Sequence, residues 1–109
     1  MARDRGLEEL VNEDLAEEHD VTAKAMFGGW AWLMRGNLLC GARHDGMLAR
    51  LGKGRDDWAL RVEGIEPMMS GSRRMDGWVR IPPSVYGDDV MRRRLLDAAI
   101  EFSQSLPAK

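Results

Sequence analysis

The 109 residues suit one domain, and their 44% hydrophobic and 31% charged content describes an ordinary globular chain rather than a disordered one. Sixteen basic against eighteen acidic residues leave a net charge of −2, which removes the basic excess that drives a dedicated nucleic-acid binder. Apolar runs of only a few residues exclude a helical membrane span, and the lone Cys40 excludes an internal disulfide and points to a reducing, cytoplasmic setting. The start of the chain leads into an acidic helix instead of an apolar leader, so no signal peptide is expected.

In chain order, residues 7–19 carry a helical period. Leu7, Leu10, Val11 and Leu15 form the stripe, glutamates fill the other face, and Asp4 stands as the N-cap. Val21 to Ala25 read as a connector or a short extended piece. Phe27-Gly28-Gly29 opens a β region in which Trp30, Trp32 and Met34 alternate with Ala31, Leu33 and Arg35. Gly36-Asn37 is the expected tight turn, Leu38 to Arg43 the return strand, His44-Asp45-Gly46 a second turn and Met47 to Leu51 a third strand.

Gly52-Lys53-Gly54 ends this meander. A short helix is expected over Asp56 to Val62, with Gly64 as its stop. Pro67 to Ser70 reads as a fourth strand and Gly77 to Ile81 as a fifth, closed by Pro82-Pro83. Asp88 and Asp89 begin a last helix that reaches about Ser105, with Met91, Leu95, Ala98, Ala99 and Phe102 as its stripe and Arg92, Arg93 and Arg94 beside or behind it. The expected order is α-β-β-β-α-β-β-α, a two-layer α+β domain on a five-stranded antiparallel sheet.

No catalytic, metal or cofactor-binding residue is assigned. His19 and His44 lie on different elements, and Cys40 mid-strand and His44 in the next turn are expected to point apart. The serines lack a strand-turn-helix elbow. Met26-Phe27-Gly28-Gly29 has no following helix N-terminus to make a phosphate loop, so its paired glycines mark a bulge or close backbone packing. Basic groups give the one site-like signal. Arg50, Arg73, Arg74 and Arg80 fall on or beside strands with Trp78, as a candidate interaction surface.

Met26-Phe27-Gly28-Gly29 entering a tryptophan-rich strand, Gly36-Asn37, Leu48-Ala49-Arg50-Leu51-Gly52, Glu66-Pro67-Met68, Met75-Asp76-Gly77-Trp78-Val79-Arg80 and the closing Ser105-Leu106-Pro107-Ala108-Lys109 occur in one order. That ordered set resembles the N-terminal domain of the TfoX/Sxy family of bacterial competence regulators. Ser72-Arg73-Arg74-Met75 stands where the family pattern has Gly-Arg-Pro-Met. The resemblance implies a secretion-chaperone-like α+β fold in which Met26, Phe27, Gly28, Gly29, Gly36, Asn37 and Gly77 are structural motif residues. It also implies a non-enzymatic regulatory or protein-interaction module.

Full-length relatives carry a second domain, so a stand-alone domain is expected here. A protein partner is expected, and a homodimer through the sheet or a strand edge is open. Two other readings remain: a nucleic-acid-associated module using the arginine face, and a small-ligand binder with a tryptophan-lined pocket.

Overall fold

A computed structural model describes residues 4–26 and 28–109; Phe27 of the Met26-Phe27-Gly28-Gly29 motif lies outside them. Helix α1 (Arg5–Asp14) starts where expected, because the Asp4 carboxylate accepts from the Leu7 amide at 3.1 Å. It stops earlier than its periodicity suggested, with Leu15 as C-cap and a turn beyond it. Strands β1 (Val21–Met26), β2 (Gly29–Met34), β3 (Asn37–Arg43) and β4 (Gly46–Arg50) follow as a meander. A single turn, α2 (Asp57–Leu60), leads to β5 (Glu66–Ser70) and β6 (Arg73–Ile81), and α3 (Pro83–Tyr86) precedes α4 (Asp89–Gln104).

All strand pairs are antiparallel, in one six-stranded sheet of order β1-β2-β3-β4-β6-β5. The expected count of five strands is therefore corrected to six. The added strand is β1, read from the sequence as a connector or a short extended piece. It lies at the sheet edge with Thr22 to Ala25 exposed, so no core face imprints an alternation on its sequence. The one-turn α3 was also missed; it is too short to show a period.

The first hairpin turn sits one residue earlier than its sequence signal, and the second falls within the expected His44-Asp45-Gly46. The loop between β2 and β3 is Arg35-Gly36, with φ of 50° and 84°, the left-handed pair that suits strand twist. Asn37 is instead the first strand residue, buried, with its amide donating to the Pro107 carbonyl at 2.9 Å. The Lys109 amide also donates to the Arg35 carbonyl at 2.9 Å. The family-like Gly36-Asn37 and Ser105-to-Lys109 motifs are thus partners in space. Between β3 and β4 the loop is His44-Asp45, and hydrogen bonds from Arg43 hold the Asp45 carboxyl below the usual carboxylate range.

Gly29 shows why the paired glycines matter. A Cβ there would lie 2.3 Å from the Ala42 carbonyl oxygen of β3, so close backbone approach excludes every other residue. The bulge of this hairpin lies further on, between Trp32 and Leu33.

The main core fills the space between the helices and one face of the sheet. Leu7 and Val11 of α1, its C-cap Leu15, and Leu95, Leu96 and Ala99 of α4 meet Trp32, Cys40, Met47, Val79 and Ile81 there. Trp32 is buried, and its indole N–H donates to Asn12 Oδ1 at 2.9 Å.

Polar contacts fasten α1 at both ends. The Tyr86 hydroxyl donates to Asp4 Oδ2 at 3.2 Å, and Arg92 donates to Asp14 Oδ2 at 2.5 Å and to the Tyr86 carbonyl at 2.9 Å. Arg92, placed beside or behind the stripe by periodicity, is in fact buried at 4% exposure. The opposite sheet face carries only a small cluster of Leu48, Met68 and Trp78, flanked by Leu38 and Met75. Among the described residues no helix packs over it.

Candidate interaction surface

Strand β6 is nine residues long, but β4 pairs with only Trp78 to Ile81. Arg73 to Asp76, with Met69 and Ser70 of β5, form a hairpin arm that overhangs the sheet. Gly77 is its root. It holds φ = 84°, its carbonyl accepts from the Leu51 amide at 2.7 Å, and a Cβ would sit 2.6 Å from Lys53 N. Glycine is required here by conformation and by space together. The Gly-Arg-Pro-Met segment of the family pattern falls on this arm, whose turn is Gly71-Ser72 with Gly71 at φ = 62°.

Ser70, Arg73, Arg74, Met75, Asp76 and Trp78 line an open cleft of about 480 Å³ at the base of the arm. Trp78 gives it an apolar floor at 8% exposure, while Met69 nearby is 49% exposed. Arg74 lies 3.8 Å from the buried Asp56 carboxylate and 3.7 Å from Asp76. Arg73 is exposed and pairs with no carboxylate among the described residues. An anionic group entering the cleft therefore meets one unneutralised guanidinium and a second that is loosely paired.

Of the five candidate residues, the structure brings Arg73, Arg74 and Trp78 together and leaves two apart. Arg50 is the register partner of Trp78, but its guanidinium lies 5.3 Å from the Phe102 ring centroid on α4. Arg80 is ion-paired with Glu66, its register partner on β5. Sequence reading missed Asp56 and Asp76, the acids that set the charge of the cleft; the Asp76-Gly77 dipeptide was the available signal. Trp32 and Trp78 are buried, and the half-buried Trp30 and Trp58 pack on the main core.

His19 and His44 are exposed, and among the described residues no group of three or more His, Cys, Asp and Glu is placed to hold a metal ion. Cys40 is buried at 1% exposure, and burial pushes its thiol well above the ordinary range. Burial, together with Asp4, also raises the Tyr86 hydroxyl. Both folded values lie above the unfolded ones, so their stabilising contribution is complete below the unfolded pKa and is lost as pH rises. Stability should fall above pH ~8.5, with Cys40 contributing a slope of up to ~1.4 kcal/mol per pH unit. Urea unfolding of the wild type and Cys40→Ala between pH ~7 and ~10 checks this, the variant showing the shallower slope.

Among the described residues no helix is long and apolar enough to cross a membrane. The family described as TfoX N-terminal domain matches residues 13–103 of the chain. No curated protein and no solved structure gives a significant match.

Proposed function

The chain belongs to the TfoX N-terminal domain family, and from that premise we propose that it is a non-enzymatic, cytoplasmic regulatory module that docks an acidic protein segment on its β5–β6 arm. The observation that carries this is the open cleft where Arg73 stands unpaired beside Arg74, over the indole of Trp78. A carboxylate-bearing chain with one apolar side chain matches that lining, because arginine and tryptophan are the residues that dominate protein interfaces. A regulatory role of the competence-regulator kind and a secretion-chaperone type of fold belong to the same proposal. The buried, protonated thiol of Cys40 supports a role other than nucleophilic catalysis.

The pairing of Arg74 and Arg80 with carboxylates favours a protein over a nucleic acid, since each neutralised arginine has less to gain from a phosphate. The test is affinity capture from native lysate with the wild type and the Arg73→Glu/Arg74→Glu variant, with proteins and nucleic acids both identified. A protein species retained by the wild type and depleted about tenfold or more by the variant is expected. Equal retention by both proteins removes the arm as the docking surface. Captured nucleic acid that is released by moderate salt supports the nucleic-acid reading instead.

A further inference from the structure

The two edges of the sheet are built differently. β5 carries Glu66, Pro67 and a register shift between Pro67 and Met69, three devices that discourage a sheet edge from pairing with another chain. β1 carries only the charge of Lys24, with neither a proline nor a register shift. Its residues Val21-Thr22-Ala23-Lys24-Ala25-Met26 keep an unbroken register against β2 and include one charge, Lys24. Thr22, Ala23, Lys24 and Ala25 are all exposed.

The backbone direction of β1 is fixed by one hydrogen bond. The Arg35 amide donates to the Asp20 carbonyl at 2.9 Å, and these residues continue the register one step beyond Val21 opposite Met34. Hydrogen-bonded and non-hydrogen-bonded pairs alternate along an antiparallel ladder. Thr22, Lys24 and Met26 therefore aim their amides and carbonyls at β2, while Val21, Ala23 and Ala25 turn theirs to the open edge.

We propose that β1 pairs antiparallel with β1 of a second copy of this chain, with Ala23 opposite Ala23 on a two-fold axis and Val21 opposite Ala25. This centre matches all three outward-facing residues of one strand with all three of the other, through about six hydrogen bonds. Moving the axis one residue either way leaves one of the three without a partner, and moving it to Lys24 sets the two ammonium groups face to face. In the proposed register Lys24 faces Thr22, and the second Lys24 lies on the diagonal, ~7–8 Å away. An open cleft between α1 and β1, lined in part by Leu15, Ala16, Val21 and Ala23, flanks the strand and leaves room for small side chains of the partner strand. The paired sheet has twelve strands, six from each copy. Each β5–β6 arm lies at a far end, so failure of the docking role leaves this pairing untouched, and the reverse.

One strand pair buries less than the ~1,200–2,000 Å² of a standard stable interface, so dissociation is expected at roughly 10–100 μM. Sedimentation equilibrium should show the mass moving from one to two copies across that range. Amide exchange at Val21, Ala23 and Ala25 should slow with concentration, while Thr22 and Lys24 stay protected throughout. Ala23→Pro removes only an outward-facing amide and should give a folded monomer.

Thr22→Cys and Lys24→Cys proteins mixed together should cross-link about tenfold faster than either alone, because opposite residues of a non-hydrogen-bonded pair lie within disulfide reach. The buried Cys40 does not compete. A monomer at ~500 μM overturns the proposal. So do amide protection that is independent of concentration, Lys24→Cys cross-linking to itself as fast as the mixture, and protection that appears only when a foreign peptide is added.

Discussion

Replacing Arg92 with alanine is expected to remove about 3–5 kcal/mol of stability, a large part of what a domain of this size possesses. The side chain is buried at 4% exposure, yet its guanidinium reaches three partners: Asp14 on α1 at 2.5 Å, Asp89 on α4 at 2.9 Å and the Tyr86 carbonyl at 2.9 Å. Alanine leaves the Asp14 carboxylate without its cation and the Tyr86 carbonyl without its donor, while opening a void between α1 and α4. Most of the loss comes from the groups left behind rather than from the pair itself. The double replacement Arg92→Met with Asp14→Leu should therefore recover much of it, since neither charge remains to be solvated. Urea unfolding checks both: the midpoint falls for the single variant at nearly constant slope, and rises again for the double variant.

Trp32→Ala should cost a comparable ~3–5 kcal/mol, for a different reason. Trp32 is the largest of the fully buried side chains and lies at the junction of β2 with α1. Its loss opens a cavity that the sheet backbone cannot close, because β2 is held by β1 on one side and β3 on the other. Trp32→Phe separates cavity from hydrogen bond. Phenylalanine refills most of the volume but lacks the donor to Asn12, which is exposed and is served by water instead. A loss of about 1–2 kcal/mol is expected for it. In thermal melts the alanine variant should drop by roughly 12–20 °C and the phenylalanine variant by about 4–8 °C.

What the sequence disclosed follows from what each residue had to satisfy. Asp4 was legible as a cap and Asp88-Asp89 as a helix start because a helix start needs a side-chain acceptor within three residues, which Asp4 and Asp88 supply. The β2–β3–β4 meander was legible because one face of each strand meets the core, which writes a period of two into Trp30, Trp32, Cys40, Ala42, Met47 and Ala49. β1 was hidden because its middle residues, Thr22 to Ala25, lie exposed at the sheet edge and carry no core-facing period.

The turn at Arg35-Gly36 was misplaced by one residue because Asn37, a residue typical of turns, answers to the Pro107 carbonyl 70 positions away. Arg92 was hidden for the same kind of reason, its carboxylate partner lying 78 positions distant. At the candidate surface, the arginines and Trp78 could be found by type. Which of them remain unpaired depends on Asp56, Asp76, Glu66 and Phe102, neighbours that only the tertiary fold brings from the N-cap of α2 and from β6, β5 and α4.

The fastening of α1 to residues near the other end of the chain also sets an order of events during synthesis. Asp4 and Asp14 meet Tyr86 and Arg92 only after 82 and 78 further residues have been added, an interval of ~4–16 s at ordinary elongation rates. Throughout it Leu7, Val11 and Leu15 have no finished core to enter, although the hairpins of β1 to β4 already can close on themselves. The first helix to leave the ribosome is thus among the last to dock. Its apolar stripe is the segment that a nascent-chain chaperone would meet first and release last.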